Sequence, residues 1–191
     1  YLDDILVFSS SAEEHTQQVR LVLTKLQEHG LYAKREKCEF DHTSVEFLGY
    51  VISPSGVTMD TRKVTTIQDW AIPTRLKELQ SFLDFANFYR RFIKGFSTLV
   101  QPLIALTRKG VPFRWSSAAQ ISFDTLKQAF ITAPVLAHPD PSRPFQVESN
   151  ASDFAIGAVL SQPDATGTFH PVAFHSRKFI APEIHYPSMT R

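Results

Sequence analysis

The feature that most constrains this chain is a set of large apolar residues at helical spacing: Leu79, Phe82, Phe85, Tyr89, Phe92 and Phe96. At ~100° per residue they cover about one third of a helix circumference, with Phe88 beside them. A stripe of that width is costly to leave in water, so it requires a partner surface. It predicts a helix over about residues 75–94. Asn87, Arg90, Arg91 and Lys94 fall on the other side. The stripe therefore reads as core, not as a platform for stacking bases.

The remaining pattern is mixed, and the fold class it predicts is α+β. Residues 5–8 are a short apolar, β-favouring run bounded by serines, expected to be a buried strand. Ser11-Ala12-Glu13-Glu14 is a capping-box pattern, followed by Val19, Val22, Leu23 and Leu26 at helical spacing, with Gly30 as the stop. From Lys37 onward strands are expected. Cys38 and Phe40 alternate, residues 45–52 are strand-like, and Pro54-Ser55-Gly56 turns into residues 57–59. Asp60 is placed to cap a helix running through Trp70, which Pro73 ends. Helices are expected at residues 99–107 and 117–132, the second capped by Ser116 or Ser117. A Pro-rich stretch, residues 133–144, is the natural linker. After it come three antiparallel strands, residues 145–148, 155–161 and 171–176, with a turn at residues 164–167.

Charge divides the chain into blocks that the formal net of +1 conceals. Residues 1–61 hold five Lys/Arg against ten Asp/Glu, and residues 62–114 hold ten against three. The last 77 residues hold five against six. The central block is either an electrostatic footprint for a polyanion or a solvated helical surface; charge alone leaves both open. No apolar run approaches the ~20 residues needed to span a bilayer, and the acidic start is unlike a signal peptide. The single cysteine, Cys38, excludes an internal disulfide. Together these suggest an intracellular protein without a membrane partner. The absence of an initiator Met suggests a fragment.

Chemistry begins at the first residues. Asp3 and Asp4 are adjacent carboxylates at the edge of an apolar run, which repel one another unless a cation intervenes. Mg²⁺ held by one or two carboxylates and substrate phosphates is the usual solution, and two such ions can drive nucleotidyl transfer. Elsewhere Cys38-x-x-x-His42 is half of a zinc pattern without a second half, so Cys38 reads as a small core residue of its strand. His170, His175 and His185 show no ligand pattern.

The segments YLDDILVFS, VEFLGYVISPSGVTMD, LQSFLDFANFYRRFIKGFS and FQVESNASDFAIGAVLSQ resemble, in order, the polymerase protein of gypsy-type long-terminal-repeat retrotransposons. The resemblance implies the Tyr-x-Asp-Asp turn of a reverse transcriptase palm, with Asp3 and Asp4 as metal ligands for Mg²⁺ and catalysis. Tyr1 would touch nucleic acid near the primer end. Phe47-Leu48-Gly49-Tyr50 would be the primer-grip hairpin. Arg75, Lys77, Arg90, Arg91 and Lys94 would contact phosphates of an RNA–DNA hybrid or template–primer duplex. The implied organisation is palm over residues 1–59, thumb over 60–107, connection over 108–144 and a truncated ribonuclease H-like domain over 145–191. The implied activities are RNA-directed DNA polymerase and ribonuclease H.

Departures from the family bear on those activities. Its other essential palm aspartate lies upstream of the Tyr-x-Asp-Asp box at which this sequence opens, and the sequence stops about one residue before the position of the next ribonuclease H Glu. The family's Thr-Asp-Ala-Ser is here Ser149-Asn150-Ala151-Ser152, so an amide stands where the first ribonuclease H metal ligand belongs. Glu148 and Asp153 flank it and read as ordinary strand and turn acids. Asp84 replaces a glycine usual in the thumb helix. The isolated chain is accordingly expected to be inactive. The alternative is a decayed or co-opted remnant that binds nucleic acid without catalysis.

Overall fold

The computed structural model describes residues 3–152, 155–180 and 183, and it divides into two compact units at Pro54/Ser55. Tyr1, Asp153 and His185, singled out above, lie outside the described residues.

In the first unit, α1 (Ala12–Glu28) starts as the capping pattern requires. The Ser11 hydroxyl accepts from the Glu14 amide at 3.2 Å, and the Glu14 carboxylate accepts from the Ser10 amide at 3.1 Å. Gly30 closes the helix as expected, at φ 66°. A hairpin follows, β1 (Val45–Phe47) paired antiparallel with β2 (Tyr50–Ser53), Phe47 opposite Tyr50. None of this unit's described residues is buried. Residues 5–8 form no strand: Ile5 is 53% exposed and Phe8 79% exposed. A strand must satisfy its N–H and C=O groups on a neighbour, and no described residue pairs with this run. Residues 38–44 are likewise irregular, after a single 3₁₀ turn at Arg35–Lys37. Cys38 is half-buried with its thiol on the Lys34 carbonyl, so it is not a core residue.

The second unit holds the core. β3 (Gly56–Met59) leads into α2 (Thr61–Gln68). Asp60 caps α2 through the Arg62 amide at 2.8 Å, and the Arg62 guanidinium holds its carboxyl below the usual carboxylate range. α3 (Leu76–Phe88) carries the aromatic stripe. It is shorter than expected, giving way to a 3₁₀ turn at Arg90–Phe92 and then to Gly95, φ 67°. Tyr89, Phe92 and Ile93 have only modest helix propensity, which Arg90 and Arg91 do not outweigh. Bending there also lets both Phe92 and Ile93 reach the core. α4 (Phe96–Leu99) and α5 (Gln101–Ala105) replace the single helix expected over 99–107. α6 (Ser117–Ile131) starts on the Ser116 hydroxyl, as expected.

Leu79, Phe82, Tyr89, Phe92 and Phe96 are buried and Phe85 is half-buried, its ring against Trp70 and Tyr89, so the stripe is core. Phe88, beside the stripe, is half in solvent. The Phe82 ring lies 5.5 Å from Trp70 and 4.6 Å from Phe123 of α6, and Trp115 contacts Phe123 at 5.7 Å. These offset and edge contacts each add about 0.5–1.5 kcal/mol beyond burial.

The three final strands form one antiparallel sheet in the order β4 (Gln146–Ala151), β5 (Ala155–Pro163), β6 (Phe169–Lys178). All three run longer than the sequence pattern indicated, and the expected turn sits at Asp164–Gly167. The Pro-rich stretch is no free tether. Leu136 is fully buried and exchanges two backbone bonds with Val57, at 2.8 and 2.9 Å. A Cβ on Gly56 would come within 2.2 Å of the Leu136 carbonyl oxygen, so this contact requires glycine. Ala137 donates to the Pro171 carbonyl, and the buried Gln162 amide binds the backbone of Asp140 and Arg143.

Truncating Phe82 removes the centre of this aromatic contact. Phe82→Ala is expected to destabilise the chain by about 3–5 kcal/mol in urea melts. Phe88→Ala, at a half-exposed site, is expected to cost under about 1 kcal/mol.

Candidate nucleic-acid interface

The hairpin expected to grip a primer end is a two-residue loop. Leu48 (φ 51°) and Gly49 (φ 81°) both take positive φ, the condition for the type I′ turn that matches strand twist. Glycine takes that conformation without strain, whereas leucine carries a Cβ penalty of about 1–2 kcal/mol. Phe47, Leu48, Gly49 and Tyr50 are all half-buried.

The five basic residues singled out from the sequence separate into three situations. Lys77, Arg91 and Lys94 are exposed, with side chains open to solvent. Arg75 is exposed but pairs with Glu78 at 2.7 Å. Glu78 also accepts from the Thr74 amide at 2.9 Å, and these bonds hold its carboxyl below the usual range. Arg90 is turned inward, because α3 ends before it. Its guanidinium donates to the Ser176 carbonyl of β6 and to Asn87, and stands 5.7 Å from the Phe96 ring centroid. Beside it the Ser97 amide donates to the buried Ser176 hydroxyl at 2.9 Å. Arg90 thus joins the basic turn to the sheet. Sequence periodicity missed this role, since it presumed an unbroken helix as far as Lys94.

Asp3 and Asp4 are both exposed. Two neighbouring carboxylates offer the hard oxygen donors that Mg²⁺ prefers. Among the described residues no group of three or more His, Cys, Asp or Glu could hold a metal ion. Asp3 and Asp4 thus offer two such oxygens with no third protein ligand among the described residues.

Asn150 lies in β4 opposite Gly157, with every residue of β4 exposed. Glu148, two residues earlier and so on the same face, accepts from Gln146 at 3.0 Å. One neutral carbonyl and one carboxylate are a poor donor set for a divalent cation, so this strand does not fit a metal centre. His170 is bound to Asp164 at 2.9 Å in the β5–β6 turn. Hydrogen bonds from the Thr166 hydroxyl and from His170 hold the Asp164 carboxyl far below the usual range. This is a turn staple and brings no third ligand.

Comparison with known proteins is consistent along the chain. Residues 1–52 match the family model described as "Reverse transcriptase (RNA-dependent DNA polymerase)". Residues 115–191 match "RNase H-like domain found in reverse transcriptase". The Transposon Tf2-3 polyprotein of Schizosaccharomyces pombe is 38% identical over 186 residues, and Tf2-7 of the same yeast is 37% identical. Each comparison covers 97% of this chain and 14% of the polyprotein, so the chain spans about one seventh of those relatives. Among solved structures, the foamy viral protease–reverse transcriptase with double-stranded DNA superposes with a TM-score of 0.77 at 28% identity. That match covers 94% of this chain and 32% of the viral one. The same viral enzyme with an RNA/DNA hybrid gives a TM-score of 0.77 at 28% identity, covering 24% of its chain.

Leu48 offers a direct check on the strained turn. Leu48→Asn is expected to slow amide hydrogen exchange in β1 and β2 about twofold to fivefold, because asparagine tolerates positive φ. Leu48→Val is expected to accelerate it.

Proposed function

We propose, from this chain's membership of the reverse transcriptase and ribonuclease H-like region of gypsy-type retrotransposon polyproteins, that it supplies the duplex-holding part of an RNA-directed DNA polymerase. The observation that carries this reading is the sidedness of the segment from α3 to Lys94. Its aromatic face is core, while Lys77, Arg91 and Lys94 face solvent within a block of ten Lys/Arg against three acids. A cationic surface of this kind binds phosphates without regard to sequence, and does so in a salt-dependent manner. The solved viral relatives hold double-stranded DNA and an RNA/DNA hybrid, which supports the same ligand class here. The hairpin at Phe47 to Tyr50 would position the primer end, and Arg75 would add a phosphate contact once released from Glu78. Arg90 serves chiefly as the strut to β6.

Both families generally use divalent metals. In the polymerase part, Asp3 and Asp4 would present carboxylate oxygens to Mg²⁺, which would activate the attacking hydroxyl and stabilise the leaving oxygen. In the ribonuclease H-like part, Asn150 removes an anionic ligand, and metal affinity at that strand falls accordingly. Asn150 also favours a second reading, a co-opted remnant that holds nucleic acid and cleaves none. Neither reading predicts primer extension by the 191-residue chain alone.

Fluorescence anisotropy with an RNA–DNA hybrid separates a binding surface from a merely solvated one. The chain is expected to bind with an affinity on the order of micromolar at low salt, weakening steeply as salt rises and indifferent to EDTA. Replacing Lys77, Arg91 and Lys94 together by Glu is expected to weaken binding at least about tenfold. Binding that survives this triple change would sink the assignment.

A further inference from the structure

The exposed face of α3 has an acid at its centre. Taking ~100° per residue, Asn87 and Gln80 lie to one side of Asp84, and Lys77, Phe88 and Ser81 to the other. All six are exposed, on an arc of about 120° with Asp84 at its midline. The other two acids of the basic block lie off this face. Glu78 is bound by Thr74 and Arg75, and Asp69 is the C-cap residue of α2. Asp84 has no hydrogen bond or ion pair among the described residues.

A carboxylate in that position repels phosphates and can accept hydrogen bonds but never donate them. The minor groove of an all-DNA duplex returns mostly acceptors, with the guanine amine as its one donor. A duplex with an RNA strand is closer to A-form, and its wide, shallow minor groove displays 2′-hydroxyl groups, each able to donate. A helix face can lie against that groove, whereas the A-form major groove is too deep and narrow to admit side chains. We propose that Asp84 is a specificity-determining residue on the duplex-binding face of α3, favouring a duplex that carries an RNA strand over one made only of DNA. The favoured ligand repays the carboxylate with a charge-assisted hydrogen bond from a 2′-hydroxyl; the disfavoured one leaves it facing phosphates and acceptors. This inference rests on the reading that the helical surface binds duplexes.

The test compares an RNA–DNA hybrid and a DNA duplex of identical sequence, by anisotropy with the whole 191-residue chain, for wild type, Asp84→Asn and Asp84→Ala. Both substitutions fall at an exposed helical position, and alanine raises helix propensity, so folding is preserved. Wild type is expected to bind the hybrid about threefold to tenfold more tightly than the DNA duplex. Asp84→Ala is expected to gain affinity for DNA and bring the ratio below about twofold, with Asp84→Asn between the two because it keeps one acceptor. Equal shifts on both duplexes, or no shift, would overturn the role of Asp84 while leaving duplex binding intact. Failure of every variant to bind either duplex would overturn the underlying reading, and this inference with it.

Discussion

Phe82 stands between Trp70 at the end of α2 and Phe123 in the middle of α6, and the helical body is organised around that contact. Close packing of three large rings fixes the rotation of α3 about its own axis, since a turn of even one residue step would carry Phe82 out of the seam. Once α3 is fixed in rotation, so is everything on its other side. Lys77, Gln80, Asp84 and Asn87 face solvent because Leu79, Phe82 and Ala86 cannot. Further polar contacts hold the seam in place. Lys127 of α6 donates to the Trp70 carbonyl at 2.9 Å and lies over Phe123, and the Trp115 indole donates to Gln120.

The same body includes the sheet. Arg90 reaches the Ser176 carbonyl, Ser97 reaches the Ser176 hydroxyl, Ala137 pairs with Pro171, and Gln162 secures the Pro-rich stretch. Each bond is modest alone, about 1 kcal/mol net; Arg90 and Ser97 join the basic segment to β6, while Ala137, Asp140 and Arg143 tie the Pro-rich stretch to β6 and β5. A surface built this way fixes the backbone positions from which its cations extend. The first unit is the contrast. It has a well-capped helix and a defined hairpin yet buries no described residue, so its apolar side chains are available to further protein or ligand.

Much of this was legible from residue order because the signals were local. The Ser11 and Ser116 caps, the Asp60 cap and the aromatic stripe all depend on neighbours within a turn or two. The turn at Leu48-Gly49, by contrast, breaks the strand-like run expected over residues 45–52 and was implied only by the family resemblance. What escaped depends on distant contacts. The strand expected at residues 5–8 needs a partner that no described residue provides. The α3 break serves Arg90, whose partner is 86 positions away, and the Pro-rich stretch is tied down by Val57, Pro171 and Gln162 rather than by its own composition. At the candidate site, the residue types pointed to phosphate binding, but only the fold separates Arg90, a strut, from Arg91 and Lys94, which face outward. Asn150 needed no structure at all: a missing charge is visible in the letters.

The central claim is that burial of one face of α3 assigns the opposite face to the duplex. Hydrogen–deuterium exchange of the chain with and without an RNA–DNA hybrid tests it most directly. Added protection concentrated between Lys77 and Lys94, with α6 unchanged, is the result the account predicts. Protection confined to β4–β6 or to α1, with none between Lys77 and Lys94, would contradict it.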